Sequence, residues 1–276
     1  MQWPSLTDLA STDLPPAPAL GGAPARLPFL KPFVCDDGSA KSLHFTMAEL
    51  QSRMSKASPW QLEVDYTRTM MGFLLLRPAP AHIVMVGLGG GSLAKFCYRQ
   101  LPGCRITVVE INPHVIALRR DFAVPDDDAR FQVTLGDGAE FVAAQAGRCD
   151  VLLVDGFDHE GQPEALCSPR FYDDCFAALT QDGVLAANLH YDDADYPLRA
   201  ARLARSFSGN AVEVPAPEKS NCIVFASRGA PLSPRRISLP ASLARLDREA
   251  RGRLRAEFAR VAWALKDLDD DLDSPA

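Results

Sequence analysis

Four carboxylates in this sequence stand where an open α/β sheet does its ligand chemistry. Glu110 ends the apolar run ITVVE, and Asp137 sits in Gly136-Asp137-Gly138 just after FQVTL. Asp155 ends DVLLVD, and Asp158 follows it by three residues. Acids at the ends of successive apolar runs are hard to explain by packing alone. In sheets of this kind the carboxyl ends of the strands are where ligands bind. A fifth element precedes them. "HIVMVGLGGGSLAKF" runs an apolar segment into Gly87, Gly89 and Gly91 and then into helix-forming residues. Glycines there permit a tight turn and close approach of a ligand to bare backbone, and the following helix offers its unpaired N–H groups.

Together these residues describe a nucleoside site. Glu110 follows Gly91 by 19 residues, the position from which a carboxylate takes ribose hydroxyls. Asp137, with Gly138, stands where an adenine amino group could be bound. A dinucleotide enzyme would share the glycines and Glu110, but position 92 is Ser, and no second nucleotide-binding half or catalytic His/Lys arrangement follows. A nucleoside carrying a reactive sulfonium, S-adenosylmethionine or a relative, fits better.

The elements that must hold these groups read as an alternation. Apolar runs at 83–87, 106–111, 131–135, 150–155 and 183–189 are separated by helical lengths, which predicts a parallel sheet covered on both faces. The expected fold is α/β, Rossmann-like, of the class I methyltransferase type. Residues 211–215 and 221–228 suit an antiparallel hairpin at the sheet edge. In front, "PFVCDDGSAKSLHF" reads as a β-hairpin around Asp-Asp-Gly-Ser, and 62–76 as one helix ending before Pro78. The expected organisation is a Pro/Ala-rich arm over 1–30, a small β-hairpin region over 31–61, the nucleoside-binding catalytic domain over 62–228, and a C-terminal helix with an acidic tail over 229–276. That helix aligns Leu243, Leu246, Leu254, Phe258, Val261 and Leu265 on one face. Such a stripe suits docking, and a homodimer face or an internal one alike. "SRMSKASPW" reads as packing between hairpin and helix.

Composition narrows the classes. The chain has 276 residues, a formal charge of −6, 47% hydrophobic and 23% charged residues, ordinary for a soluble enzyme. Its basic pairs, Arg119-Arg120 and Arg235-Arg236, are too short for a nucleic-acid stripe. No apolar run approaches the roughly 20 residues of a membrane span, and the N-terminus lacks a secretory pattern. Seven scattered cysteines without a C-x-x-C pair point to reduced thiols in the cytoplasm, and they and the five histidines give no metal signature.

Over residues 33–228 the sequence resembles the spermidine synthase (polyamine aminopropyltransferase) family. The resemblance is carried by "VGLGGGS", "VVEINPHVI", "DDARFQVTLGDGAEFV", "DVLLVDGFDHEGQPEALCSPRFYDDCFAAL" and "DGVLAANL". It implies a transferase in polyamine biosynthesis. Decarboxylated S-adenosylmethionine, or S-adenosylmethionine, would be the co-substrate, with a small amine as acceptor, no metal, and no nucleic acid or membrane as partner. An amine is protonated at neutral pH and needs a carboxylate to attract it and take its proton. The resemblance makes Asp155 that base and Asp158 a holder of the amine, with Glu110 on the ribose and Asp137 on the adenine. Gln51 becomes a ligand of the donor, and Tyr66 and Asn188 contacts of the acceptor; Tyr191 or the neighbouring His190, at the same edge of the sheet, could replace an acceptor contact that the family has and this chain lacks.

The chain departs from the family pattern at named places. The loop aspartate expected to bind the donor's amine is replaced by Gly90, and Tyr-His-Glu reads Tyr66-Thr67-Arg68. The Gln at the end of the fifth strand is Asn188. Loss of a negative charge beside the donor would let intact S-adenosylmethionine compete, and Arg68, if turned to the site, would push the same way. Methyl transfer on this scaffold, or nucleoside binding without catalysis, are the alternatives.

Overall fold

The computed structural model describes residues 29–47, 50–158, 161–218 and 220–273, with side chains to residue 269. The arm up to residue 28 and the end of the acidic tail lie outside the described residues. A three-stranded antiparallel sheet comes first: β1 (Phe33–Asp36), β2 (Ala40–His44) and β3 (Leu50–Ser55), in the order β1-β2-β3. The expected hairpin therefore has a third strand, drawn from the segment read as packing. Two short helices, α1 (Asp65–Met70) and α2 (Phe73–Leu76), follow in place of one. They divide at Gly72, where a Cβ would lie 2.7 Å from Val261 Cγ2 and 2.9 Å from Phe225 Cζ; the C-terminal helix and the sheet press on that point.

The main sheet has seven strands, β4 (His82–Val86), β5 (Arg105–Glu110), β6 (Phe131–Leu135), β7 (Cys149–Val154), β8 (Leu179–His190), β9 (Ala211–Pro215) and β10 (Asn221–Arg228). Their order is β6-β5-β4-β7-β8-β10-β9. The first five are parallel; β10 pairs antiparallel with both β8 and β9, forming the predicted edge hairpin. Helices α3 (Ser92–Gln100), α4 (Pro113–Ala117), α5 (Gly138–Ala143), α6 (Pro169–Ala178) and α7 (Tyr196–Ser206) connect them.

Why these runs lack a polar alternation is visible in the burial. Every residue of β4 and of β7 is buried, and successive side chains go to opposite faces. Ile83, Met85, Val151 and Leu153 enter one apolar cluster with Phe96, Phe258 and Val261. Val84, Val86, Leu152 and Val154 enter the other with Val142, Tyr172 and Leu203. The C-terminal segment is two helices, α8 (Leu239–Ala244) and α9 (Arg248–Asp273). Its apolar stripe, Leu243, Leu246, Leu254, Phe258, Val261 and Leu265, is buried within this chain's own first cluster, so the stripe is an internal face.

The connection from β4 leads to β5 on one side, and that from β7 to β8 on the other. The carboxyl ends of β4 and β7 therefore flank the switch point at which open α/β sheets bind ligands.

Candidate active site

At that switch point the glycine loop and Asp155 touch. Gly87 leaves β4 with φ +95°, and a Cβ there would overlap the Asp155 carbonyl oxygen. Only glycine combines that dihedral with that approach. The Asp155 N–H donates to Val86 O at 2.9 Å, completing the β4–β7 ladder one residue past its end. Gly91, φ +68°, turns the chain into α3.

Glu110 fixes this loop from β5. It is buried, and its Oε2 accepts the Leu88 N–H at 2.8 Å while Oε1 accepts the Asn112 N–H at 2.8 Å. Burial pushes its carboxyl above the ordinary range, and these backbone amides pull in the opposite direction. Beside it, Ile111 and Leu135 are 46% and 54% exposed at the ends of β5 and β6. Two uncovered apolar side chains there offer a flat base something to lie against. Asp137 caps α5: its Oδ1 accepts the Ala139 and Glu140 N–H groups at 2.7 and 3.1 Å. Its first duty is thus to the helix. Gly138, next in sequence, lets α5 pack on Val86, which a Cβ would overlap.

Asp155 is the focus of the polar contacts. Tyr66, on α1, donates its hydroxyl to Oδ2 at 3.0 Å, and Asn188, on β8, donates Nδ2 to Oδ1 at 2.9 Å. Asn188 Oδ1 in turn accepts from Asn221 Nδ2 at 3.0 Å, which fixes which way the amide faces. Burial raises the Asp155 pKa, opposed by the hydrogen bonds from Asn188 and Tyr66 and by the charge of nearby His190. Tyr66, half-buried against this carboxylate, is held well above its ordinary value by desolvation and by the Asp155 charge. A carboxylate poised upward and held by two neutral donors is a proton acceptor that stays in place.

A cleft opens beside Asp155, lined also by Gln51, Ser52, Tyr66, Thr67, Ser92 and the backbone of Gly87–Gly90. Gln51 and Tyr66 thus face one cleft together with Asp155. Asp158 is not part of this lining; its N–H donates to Gly161 O at 2.9 Å. Tyr191 does not line the cleft; it is half-exposed, with its ring 4.9 Å from that of Tyr196. His190 stacks on Phe157 at 4.2 Å, beside the acidic loop. Arg68 turns away: its Nη1 donates to the carbonyls of Leu62 and Glu63 at 2.9 and 3.0 Å. Residues two apart on a helix do not share a face, so with Tyr66 on Asp155, Arg68 has to point elsewhere. Sequence reasoning missed Asp65, the first residue of α1, which is buried and accepts the Tyr66 N–H at 2.6 Å on one oxygen and the Glu218 N–H at 2.7 Å on the other. It ties α1, and hence Tyr66, to the turn before β10. Among the described residues no cluster of three or more His, Cys, Asp or Glu could hold a metal ion.

Residues 63–192, which contain this constellation apart from β3, Tyr196, Glu218 and Asn221, match the model of the spermine/spermidine synthase domain. A polyamine aminopropyltransferase of Neisseria meningitidis is 39% identical over 210 residues, covering 75% of this chain and 80% of that protein. One from Chromobacterium violaceum is 38% identical over 234 residues, covering 84% and 88%. The chain belongs to the spermine/spermidine synthase family. Solved structures agree on the fold. A probable spermidine synthase from Corynebacterium glutamicum superposes with a TM-score of 0.64 at 18% identity, covering 78% of this chain and 82% of that one. Human methyltransferase-like protein 13 does so at 0.54 and 23%, covering 71% and 93%. Of the departures noted in the sequence, Gly90 and Thr67 line the cleft, Asn188 donates to Asp155, and Arg68 lies outside the lining. No described helix is long and apolar enough to cross a membrane.

Proposed function

We propose that this chain transfers an aminopropyl group from decarboxylated S-adenosylmethionine to a small amine, the activity for which its relatives are named. The observation that carries the reading is Asp155, partly buried, raised in pKa, oriented by Tyr66 and Asn188, and set against the glycine loop at the sheet's switch point. In the reaction, the lone pair of the amine attacks the methylene carbon beside the sulfonium. That lone pair is freed when the acceptor ammonium gives a proton to the Asp155 carboxylate, which later releases it to water; the C–S bond breaks, its electrons return to sulfur to leave a neutral thioether, and the product leaves as a secondary ammonium.

The protein's own part is binding and orientation. Ile111 and Leu135 would flank the adenine, with Asp137 and Gly138 at its edge. Gly87, Gly89 and Gly91 let the nucleoside lie against main chain. Glu110 would receive the ribose while keeping the loop in place, its hydroxyl contacts sharing the carboxylate with the Leu88 and Asn112 amides. Gln51 reaches the donor from β3. Asp158 would add negative charge for the ammonium of the acceptor, with Tyr66 and Asn188 on the acceptor side of the cleft. The identity of the amine is set by groups around this loop.

The test is direct. The purified chain is incubated with decarboxylated S-adenosylmethionine and a series of aliphatic diamines, and products are read by mass spectrometry. The expected result is an aminopropylated amine with one methylthioadenosine released per turnover. Methylated amine from S-adenosylmethionine, with no aminopropyl product, would overturn the reading.

A further inference from the structure

One pair of groups in the cleft has no part in the reading above. Ser52 on β3 and Ser92, the first residue of α3, are both buried, line the cleft beside Gly89 and Gly90, and hold their hydroxyl oxygens 3.4 Å apart. Gly90 is not glycine for backbone reasons, since it is absent from the residues with positive φ. The reason is steric. A Cβ at position 90 would lie 2.5 Å from Ser52 Oγ and 3.0 Å from Phe122 Cδ1. The space that a side chain on the loop would occupy is already filled by a hydroxyl arriving from another strand.

Glycine at position 90 leaves this loop without a charge. Among the described residues that line it, Asp155 is the only carboxylate, and the other polar side chains, Gln51, Ser52, Tyr66, Thr67 and Ser92, are neutral. A carboxylate only accepts hydrogen bonds, so it takes an ammonium and repels another carboxylate. A hydroxyl both donates and accepts. Two of them side by side can accept from an ammonium or donate to a carboxylate, with no charge of their own to favour either tail.

Resting on the proposed donor site, we infer that Ser52 and Ser92 form the subsite for the tail of the sulfonium nucleoside, and that this cleft therefore binds intact S-adenosylmethionine about as well as its decarboxylated form. S-adenosylmethionine then acts on this protein as a competitor that the tail subsite does not turn away.

Calorimetric titration with three probes tests this: methylthioadenosine, S-adenosylmethionine and decarboxylated S-adenosylmethionine. The unaltered protein should bind the last two with affinities within fivefold of each other, a comparison that needs no variant to fold. S52A and S92A should each weaken both tailed ligands at least threefold and leave methylthioadenosine within twofold. The paired exchange G90D with S52G, which clears the hydroxyl and installs the carboxylate, should favour the decarboxylated ligand by tenfold or more. Thermal melts establish that each variant is folded. A preference of the unaltered protein above fivefold for the decarboxylated form overturns the inference. So does an equal loss of all three ligands in the serine variants, or a paired exchange with no new preference. Failure of the unaltered protein to bind methylthioadenosine overturns the nucleoside reading itself, and the inference with it.

Discussion

Tyr66 and Asp155, 89 residues apart in sequence, meet through a 3.0 Å hydrogen bond from the phenol to Oδ2. The bond stabilises the ionised carboxylate, and so opposes the burial that raises the Asp155 pKa. Its removal has a signed consequence. Activity that needs ionised Asp155 should fall on the acid side as pH drops through a pKa above the ordinary carboxylate value of about 4. In Tyr66→Phe that acid limb should move to higher pH. The profile of kcat/KM against pH, measured with the amine that gives product, checks it. An unmoved limb would separate Tyr66 from the titration of the base.

Asp155→Asn should abolish turnover, by a factor of about 100 or more, while methylthioadenosine affinity stays within a few-fold. Stability should move the other way. With its folded pKa raised, Asp155 binds its proton more tightly in the native state than in the unfolded chain. Its contribution is fully present below about pH 4 and is lost as pH rises through the raised folded value. At pH 7 the wild-type protein carries the cost of a buried carboxylate that the asparagine variant lacks. Thermal melts at pH 7 should therefore show the inactive variant at least as stable as wild type. A lower melting temperature at pH 7 would count against this assignment of the charge.

Glu110→Gln tests a different link. The carboxylate accepts amides on both oxygens, from Leu88 and from Asn112, whereas a glutamine can accept on only one and must point its NH2 at the other N–H. One buried backbone donor loses its partner, at a cost of about 1–3 kcal/mol. Nucleoside affinity should fall as well, because the glycine loop is held from this residue. Denaturant unfolding and methylthioadenosine titration are the two readouts. A variant with unchanged stability would mean that the loop holds its shape without Glu110.

How much of this could be read in advance depended on burial. Strands β4 and β7 are covered on both faces and β5 nearly so, so they appear in the sequence as apolar runs, while the edge strand β6 shows an apolar alternation through Phe131, Val133 and Leu135; the strand ends, with Glu110, Asp137 and Asp155, could be placed from pattern alone. Strand β3 was missed because its inward positions include Ser52 as well as Met54, which breaks the period-two signal; that same serine turned out to line the cleft. The capping role of Asp137 had a local signal, Asp-x-x-Glu ahead of a helix, that the ligand reading overlooked. Arg68 was weighed as a group facing the site, although the helical spacing from Tyr66 already argued otherwise. The chain from Asp155 through Asn188 to Asn221 joins strands distant in sequence, and no local pattern encodes the last of these residues. Asp65 was invisible for the same reason, since its partner is a backbone amide at Glu218.

Lys95 carries the last prediction. It lies on α3, buried, with Nζ donating to the Phe122 carbonyl at 2.7 Å. Burial alone brings its pKa down to about 7. The carbonyl it holds belongs to the segment whose Phe122 and Val124 side chains back onto Gly90 and Gly91. An unfolded lysine keeps its proton to about pH 10. Between about pH 7 and 10, then, the unfolded chain binds a proton that the native protein has released, and raising the pH favours the native state. Below pH 7 both states are protonated and the effect vanishes. Lys95→Met cannot titrate. The stability of wild type relative to this variant should therefore rise by roughly 1 kcal/mol per pH unit over that window and be flat beneath it. Comparing the two proteins subtracts the thiols and phenols that titrate in the same range. Urea unfolding at pH 6, 7, 8 and 9 is sufficient, and a difference that stays constant from 6 to 9 would mean that Lys95 keeps its proton in the folded protein.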